Sequence, residues 1–199
     1  MIKEKIISNL EIYAETYNEA TELWENVRNQ IMREYKEDFQ ADRLSSAKDV
    51  YEKTLSDARN EIMSSIDDVL DGVKSKVVSV TEKEIPEAFE PTLNIIKNLE
   101  KPTKSEVESI SGIYFKNYLC YRSLCDVLKQ KGYNLPVVKL DDILADIESL
   151  RKEIKKAVFG SSPEAYTYKA LMHGELLESY EIRFNMFLDG RFEEMSDAE

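Results

Sequence analysis

His173 is the one histidine in the chain, and Cys120 and Cys125 are its two cysteines, so imidazole-assisted hydrolysis and thiolate or zinc chemistry have few places to reside. A hydrolytic triad or a zinc site needs an imidazole backed by further groups. Glu175 and Glu178 stand two and five positions from His173, off its face if the segment is helical. Neither HExxH nor the paired ExxH of di-iron bundles occurs. His173 is therefore expected as a hydrogen-bonded residue in a helical seam. The tightest carboxylate groups are Asp67, Asp68 and Asp71, and Asp141, Asp142 and Asp146. Either would hold a divalent cation only if a partner added ligands. Asp68 and Asp71 read as the solvated face opposite Val69 and Val73, and Asp141 or Asp142 reads as a helix cap. The two cysteines, five apart on one expected helix, diverge too far to bridge and are expected as buried thiols. Gly160-Ser161-Ser162-Pro163 lacks the lysine and glycine run of a phosphate loop, and no GxGxxG occurs. No catalytic, cofactor-binding or metal-binding residue is expected, and the chain reads as a non-enzymatic protein.

The first eighty residues organise the rest. Apolar residues recur as Ile6, Leu10, Tyr13, Tyr17, Ala20, Trp24, Val27 and Ile31, in alternating steps of four and three, which is a heptad seam. So narrow a stripe asks for another long helix as its partner. Tyrosine and tryptophan bring large apolar bodies with polar tips, so the packing is expected to be irregular and partly wet. From Leu44 the steps become three, four and four: Leu44, Ala47, Tyr51, Leu55, Ala58, Ile62, Ile66, Val69, Val73, Val77 and Val80. An 11-residue repeat lies close to the period of an unstrained helix and implies a nearly straight path. The register breaks between Asp38 and Ser46. Either the chain folds back near residues 38–45 as an antiparallel hairpin, with Asp42, Ser45 or Ser46 as cap, or one continuous helix carries a stutter. The hairpin is the expectation, with arms on the order of 50 Å each.

The later helices are marked by their ends. Thr81 and Glu84 have the spacing of a capping box, Pro86 and Pro91 imply a short or kinked helix after it, and Leu93, Ile96 and Leu99 imply another that stops at Lys101-Pro102. Thr103 and Glu106 form a second box, opening a densely apolar helix expected to run to about Lys131 and end at Gly132. A helix from Asp141 or Asp142 to Gly160 follows. Ser162-Pro163-Glu164 then opens a last helix with a seam of Tyr166, Ala170, His173, Leu177, Tyr180, Phe184 and Phe187. The expected fold is all-α: a long antiparallel, coiled-coil-like helical hairpin or rod over residues 1–80, a helical knuckle over 81–102, a smaller helical bundle over 103–190 and an acidic tail over 191–199.

Among 199 residues, 27 are basic and 39 acidic, a formal net charge of -12. Such a surface repels nucleic acid and anionic membranes, so direct nucleic-acid binding is not expected. The N-terminal stretch MIKEKIISNLEIY has no apolar core of signal-peptide length, and no window approaches the roughly 18 apolar residues of a membrane span.

Two stretches carry a resemblance: Ala58-Arg59-Asn60-Glu61-Ile62 through Val73-Lys74-Ser75-Lys76-Val77, and, after the proline-containing knuckle, Phe115-Lys116-Asn117-Tyr118-Leu119 to Leu128-Lys129. In style and order of segments, residues 50–131 resemble small helical proteins encoded by tailed phages of Gram-positive bacteria, some of them virion or head-assembly proteins. The resemblance implies a structural or assembly protein that self-associates and binds a virion protein, in the host cytoplasm or on the virion. The residues expected to make such contacts are Tyr13, Tyr17, Trp24, Tyr51, Ile62, Tyr166, His173 and Tyr180. The acidity and the lack of a catalytic constellation motivate a different expectation, an inhibitor that blocks an anti-phage defence complex sterically or by mimicking nucleic acid.

Overall fold

No glycine precedes Gly72 and no proline precedes Pro86, so nothing in the early chain forbids long helices. A computed structural model, which describes residues 2–135, 137–160 and 162–192, places two of them there: α1, Ile2–Glu34, and α2, Glu37–Thr81. They are followed by α3 (Phe89–Asn98), α4 (Lys104–Tyr114), α5 (Tyr118–Gln130), α6 (Leu140–Gly160), α7 (Tyr166–His173) and α8 (Glu175–Leu188). The all-α expectation and the hairpin hold. Trp24 of α1 stacks on Tyr51 of α2, and Tyr13 accepts a hydrogen bond from Arg59 Nε at 3.0 Å. The residue number falls along one helix as it rises along the other, which is antiparallel pairing within one chain.

The turn is tighter and earlier than residues 38–45. α1 stops at Glu34 and α2 starts at Glu37, so only Tyr35 and Lys36 lie between. Gln40 replaces the missing glycine: its Nε2 donates to the Tyr35 carbonyl at 2.8 Å and to the Met32 carbonyl at 3.4 Å, occupying acceptors that the end of α1 leaves open. Glu37 and Asp38 in the first turn of α2, and Arg33 in the last turn of α1, suit the helix dipoles. Ser46, read as a possible cap, sits inside α2 and donates to the Asp42 carbonyl.

The chain forms two compact units, Met1–Leu70 with Leu150–Glu178, and Asp71–Ser149 with Ser179–Glu199. In the first, Ile6, Leu10 and Tyr13 of α1 and Leu55, Ala58, Ile62 and Ile66 of α2 are buried, as are Ile154, Ala157 and Val158 of α6 and Tyr168 and Leu171 of α7. Tyr13 donates to the Val158 carbonyl at 3.4 Å, and Tyr168 donates to the Leu10 carbonyl. Both phenols thus meet the polar partner that burial demands.

In the second unit α5 is central. Tyr118, Cys120, Tyr121, Leu124, Cys125, Val127 and Leu128 are all buried, and α3 and α4 both pack on it. Both cysteines are free, and burial raises the Cys120 thiol pKa. Tyr118 packs against Phe187 and Phe192, with ring centroids 5.3 and 5.2 Å away. Phe192, which the sequence assigns to the acidic tail, is buried at 1 % exposure and accepts a hydrogen bond from Val138. Residues 193–199 of that tail lie outside the described residues.

After the hairpin, three helix boundaries differ from the sequence reading. Thr81 closes α2, its hydroxyl donating to the Val78 carbonyl, and does not open a new helix. The expected helix over 103–131 is two, α4 and α5. Asn117 divides them, accepting from Cys120 N as the N-cap of α5 and donating to the Glu84 carbonyl at 2.9 Å. The Thr103–Glu106 capping box is formed as expected, and it lowers the Glu106 pKa because the Thr103 backbone donates to the carboxylate. The last helix is also two: residues 162–165 form a turn, and Gly174 separates α7 from α8 with φ of +78°.

That glycine gives a first prediction. A Cβ there would lie 2.6 Å from Lys3 Cε, on a side chain that pairs with Glu178 at 2.7 Å. Gly174→Ala should cost about 1–2 kcal/mol from the left-handed backbone alone. In a Lys3→Ala background the steric part should disappear while the backbone part remains, as read by urea unfolding. An unchanged midpoint in both backgrounds would rule this out.

Candidate interaction surface

The hairpin seam changes character along its length. Near residues 6–13 of α1 and 55–66 of α2 the seam is buried. Further out, Tyr17, Ala20, Trp24 and Val27 face Leu44, Ala47 and Tyr51, and all seven are only half-buried. Two helices leave their shared seam more open than a bundle of three or more does.

Beside this seam runs a second apolar stripe, one helical position over. It adds Leu23 on α1 and Val50 on α2 to the seam residues Ala20, Val27 and Ala47, again at spacings of three and four. Leu23 is 64 % exposed and Val50 65 %. Between them lies a groove of about 260 Å³ lined by Ala20, Leu23, Trp24, Val27, Ala47, Val50, Tyr51 and Thr54. A second hollow of about 380 Å³ continues it toward the turn, shares Val27, Ala47 and Val50, and adds Arg43 and Glu34. The Arg43 guanidinium lies 5.5 Å from the Tyr35 ring centroid. The floor is aromatic, with Trp24 and Tyr51 stacked at 5.8 Å and 20° and Thr21 and Tyr51 hydroxyls 3.3 Å apart. Burial, and then the neighbouring Tyr51, raise the Tyr17 pKa, so this phenol stays neutral near the groove. Such a surface can receive apolar side chains from another helix.

The residues singled out from sequence divide three ways. Tyr13 and Ile62 are buried by this chain's own residues, at 0 % and 6 % exposure. Tyr17, Trp24 and Tyr51 line or adjoin the open seam, and Tyr180 is half-buried in the second unit, packed at 5.9 Å on Phe184. Tyr166 and His173 are exposed, Tyr166 at 86 %. The expected seam through Tyr166, Ala170 and His173 is therefore corrected: Tyr168 and Leu171 are the buried residues of α7, because that helix docks on α1 through Tyr168, which meets Leu10 and Tyr13. Leu23 and Val50 escaped the sequence reading because each stands next to a stronger seam residue. The repeat of Ala20, Leu23 and Val27 was the available signal.

Comparison with protein-family models, curated proteins and solved structures yields no match.

One carboxylate of each group read from sequence is engaged in an ion pair. Arg151 Nε donates to Asp67 at 2.8 Å, and Arg183 stands 3.0 Å from Asp146 without the angle of a hydrogen bond. Burial raises the Asp146 pKa, Arg183 opposes that shift and Asp142 adds to it. Asp142 also accepts from the Lys139 backbone at the start of α6. Among the described residues, no three His, Cys, Asp or Glu side chains are grouped to hold a metal ion. No helix among them is long and apolar enough to cross a membrane.

Proposed function

We propose that the chain is a non-enzymatic structural or assembly protein, of the kind that tailed phages of Gram-positive bacteria encode, and that it works by binding protein through the outer half of its hairpin. Its place would be the host cytoplasm or the virion. The observation that carries this reading is the groove between Leu23 and Val50, an apolar strip with aromatic floor on a helical ribbon that no described residue covers. Exposed apolar patches rimmed by polar groups mark interaction sites, and a groove between two helices suits the apolar face of a third.

The test uses the chain and its Leu23→Asp/Val50→Asp double variant against the purified structural proteins of the parent particle. Both positions are solvent-facing, so circular dichroism should be unchanged while binding falls at least tenfold. Equal binding by both chains, or none by either, would sink the reading.

The acidic-inhibitor reading keeps one supporting observation: no charged residue among the described residues is buried, so the described carboxylates lie at the surface or partly so. It differs in requiring affinity that falls steeply with salt.

A further inference from the structure

We infer that α7 is a strap over the inner seam, lifting from α1 and α6 as one unit and baring Leu10 and Val158 while the chain on either side of it stays seated. This stands apart from the reading of the groove at Leu23 and Val50. An eight-residue helix is not stable by itself in water, so α7 is helical because it is docked. Its docking rests on little. Of Tyr166–His173, Tyr168 and Leu171, three apart on one face, are buried and Met172 is half-buried; Tyr166, Thr167, Lys169, Ala170 and His173 are exposed. No side chain caps its start at Ala165, and its end is the left-handed Gly174, a backbone position that lets the chain pivot. A hollow of about 160 Å³ lies between it and α6, lined in part by Glu153, Lys156, Ala157, Tyr166 and Ala170, so the contact is not closely packed. Pro163 before the helix and Leu177 after it are both buried, which seats the two flanks.

The floor beneath does not need the strap. Tyr168 donates to the Leu10 carbonyl, and its ring lies 5.9 Å from that of Tyr13. Leu10 lies inside α1, where its carbonyl already accepts the helical bond from four residues on. Tyr13 donates to the Val158 carbonyl and accepts from Arg59 Nε, ties to α6 and α2 that do not involve α7. Lifting α7 therefore strands no polar group of Leu10 or Tyr13, and the Tyr168 hydroxyl passes to water. The cost of opening is chiefly the apolar contact of two side chains, and the ordered residues of α7 regain their freedom in return. Such a balance places α7 among the segments that open before the whole molecule does.

Bared, Leu10, Tyr13, Ala157 and Val158 form an apolar strip between α1 and α6, the seat of an amphipathic helix with an apolar pair at i and i+3. α7 is such a helix, supplied by the chain itself. It keeps this seat closed to others, an autoinhibitory contact whose release needs no change in the hairpin.

Native-state hydrogen exchange of the full chain, read by mass spectrometry below the urea transition, tests the opening. The amides of residues 169–173 should exchange about tenfold or more faster than those of residues 58–66, and with a much shallower dependence on urea, because the opening exposes little surface. The thiol introduced by Ala157→Cys lies under the strap and should react with a disulfide reagent through the same opening, peptide mapping separating it from the buried Cys120 and Cys125. Leu171→Ala should speed that reaction about tenfold or more and leave its shallow urea dependence in place. Amides of residues 169–173 that exchange at the pace and urea slope of residues 58–66 overturn the inference, since α7 then leaves only when the whole chain unfolds. Fast exchange in α7 while the Ala157→Cys thiol reacts only with the steep urea slope of residues 58–66 would mean a helix fraying in place, and overturns the strap as well.

Discussion

Phe187→Ala should destabilise the protein by about 3–5 kcal/mol, the usual cost of emptying a buried phenylalanine site. Phe187 is 1 % exposed and packs on Tyr118 at 5.3 Å and on Phe192 at 5.1 Å; Tyr118 and Phe192 pack on each other at 5.2 Å. Removing one ring of three strips both remaining rings of an edge or face contact, so the loss exceeds the transfer term of one side chain. The triad also closes the second unit. Gly190, at φ of +78°, lets the chain reverse after α8: its N–H donates to the Phe187 carbonyl and that of Arg191 to the Met186 carbonyl, which returns Phe192 to the core. Phe187→Leu should recover more than half of the loss, since it refills most of the volume. Urea unfolding by circular dichroism measures both. A midpoint change worth less than about 1.5 kcal/mol for the alanine variant, at unchanged slope, would mean that Phe192 is not held as described.

The parts of this fold that sequence reveals are those set by helical period and by local capping such as the Thr103–Glu106 box. Every member of the α1 seam from Ile6 to Ile31 and of the α2 seam from Leu44 to Val80 is buried or half-buried, because a heptad or 11-residue stripe leaves one face for a partner whatever that partner is. The breaks are different in kind. Asn117 interrupts a good helical sequence because its side chain is held by the Glu84 carbonyl, 33 residues back, and no local pattern encodes that distance. The turn at Tyr35-Lys36 depends on Gln40 reaching back over it, a device without a turn residue to announce it. Gly174 was visible as a residue, but its role follows from a positive φ beside Lys3, which only the fold supplies. The same holds for the candidate site. Aromatic seam residues pointed to the hairpin, but the surface that is left open is the stripe beside them. Val158 and Tyr168, far along the chain, meet the seam at Tyr13 and Leu10, while Leu23 and Val50 stay exposed.

Tyr168 offers a test of that coverage through pH. It is 1 % exposed and donates to the Leu10 carbonyl; burial first, and then Tyr13 and Glu11, raise its pKa far above that of a free tyrosine. In the unfolded chain it ionises near pH 10, as an ordinary tyrosine does. Above that pH the unfolded state has released a proton that the folded state retains, so stability is fully present below about pH 10 and falls as pH rises toward the folded value. Each pH unit in that window costs about 1.4 kcal/mol for this one group. Tyr168→Phe removes both the hydrogen bond and the titration. At pH 8 the variant should be less stable by about 1 kcal/mol, the typical net worth of a buried hydrogen bond. Its alkaline decline should be shallower, so that the two stability curves cross near pH ~11. Tyr17, whose pKa is also raised, is common to both proteins and steepens the two curves alike. Parallel curves above pH 10 would mean that the Tyr168 phenol reaches water in the folded state, and with it that α7 does not cover α1 at Leu10.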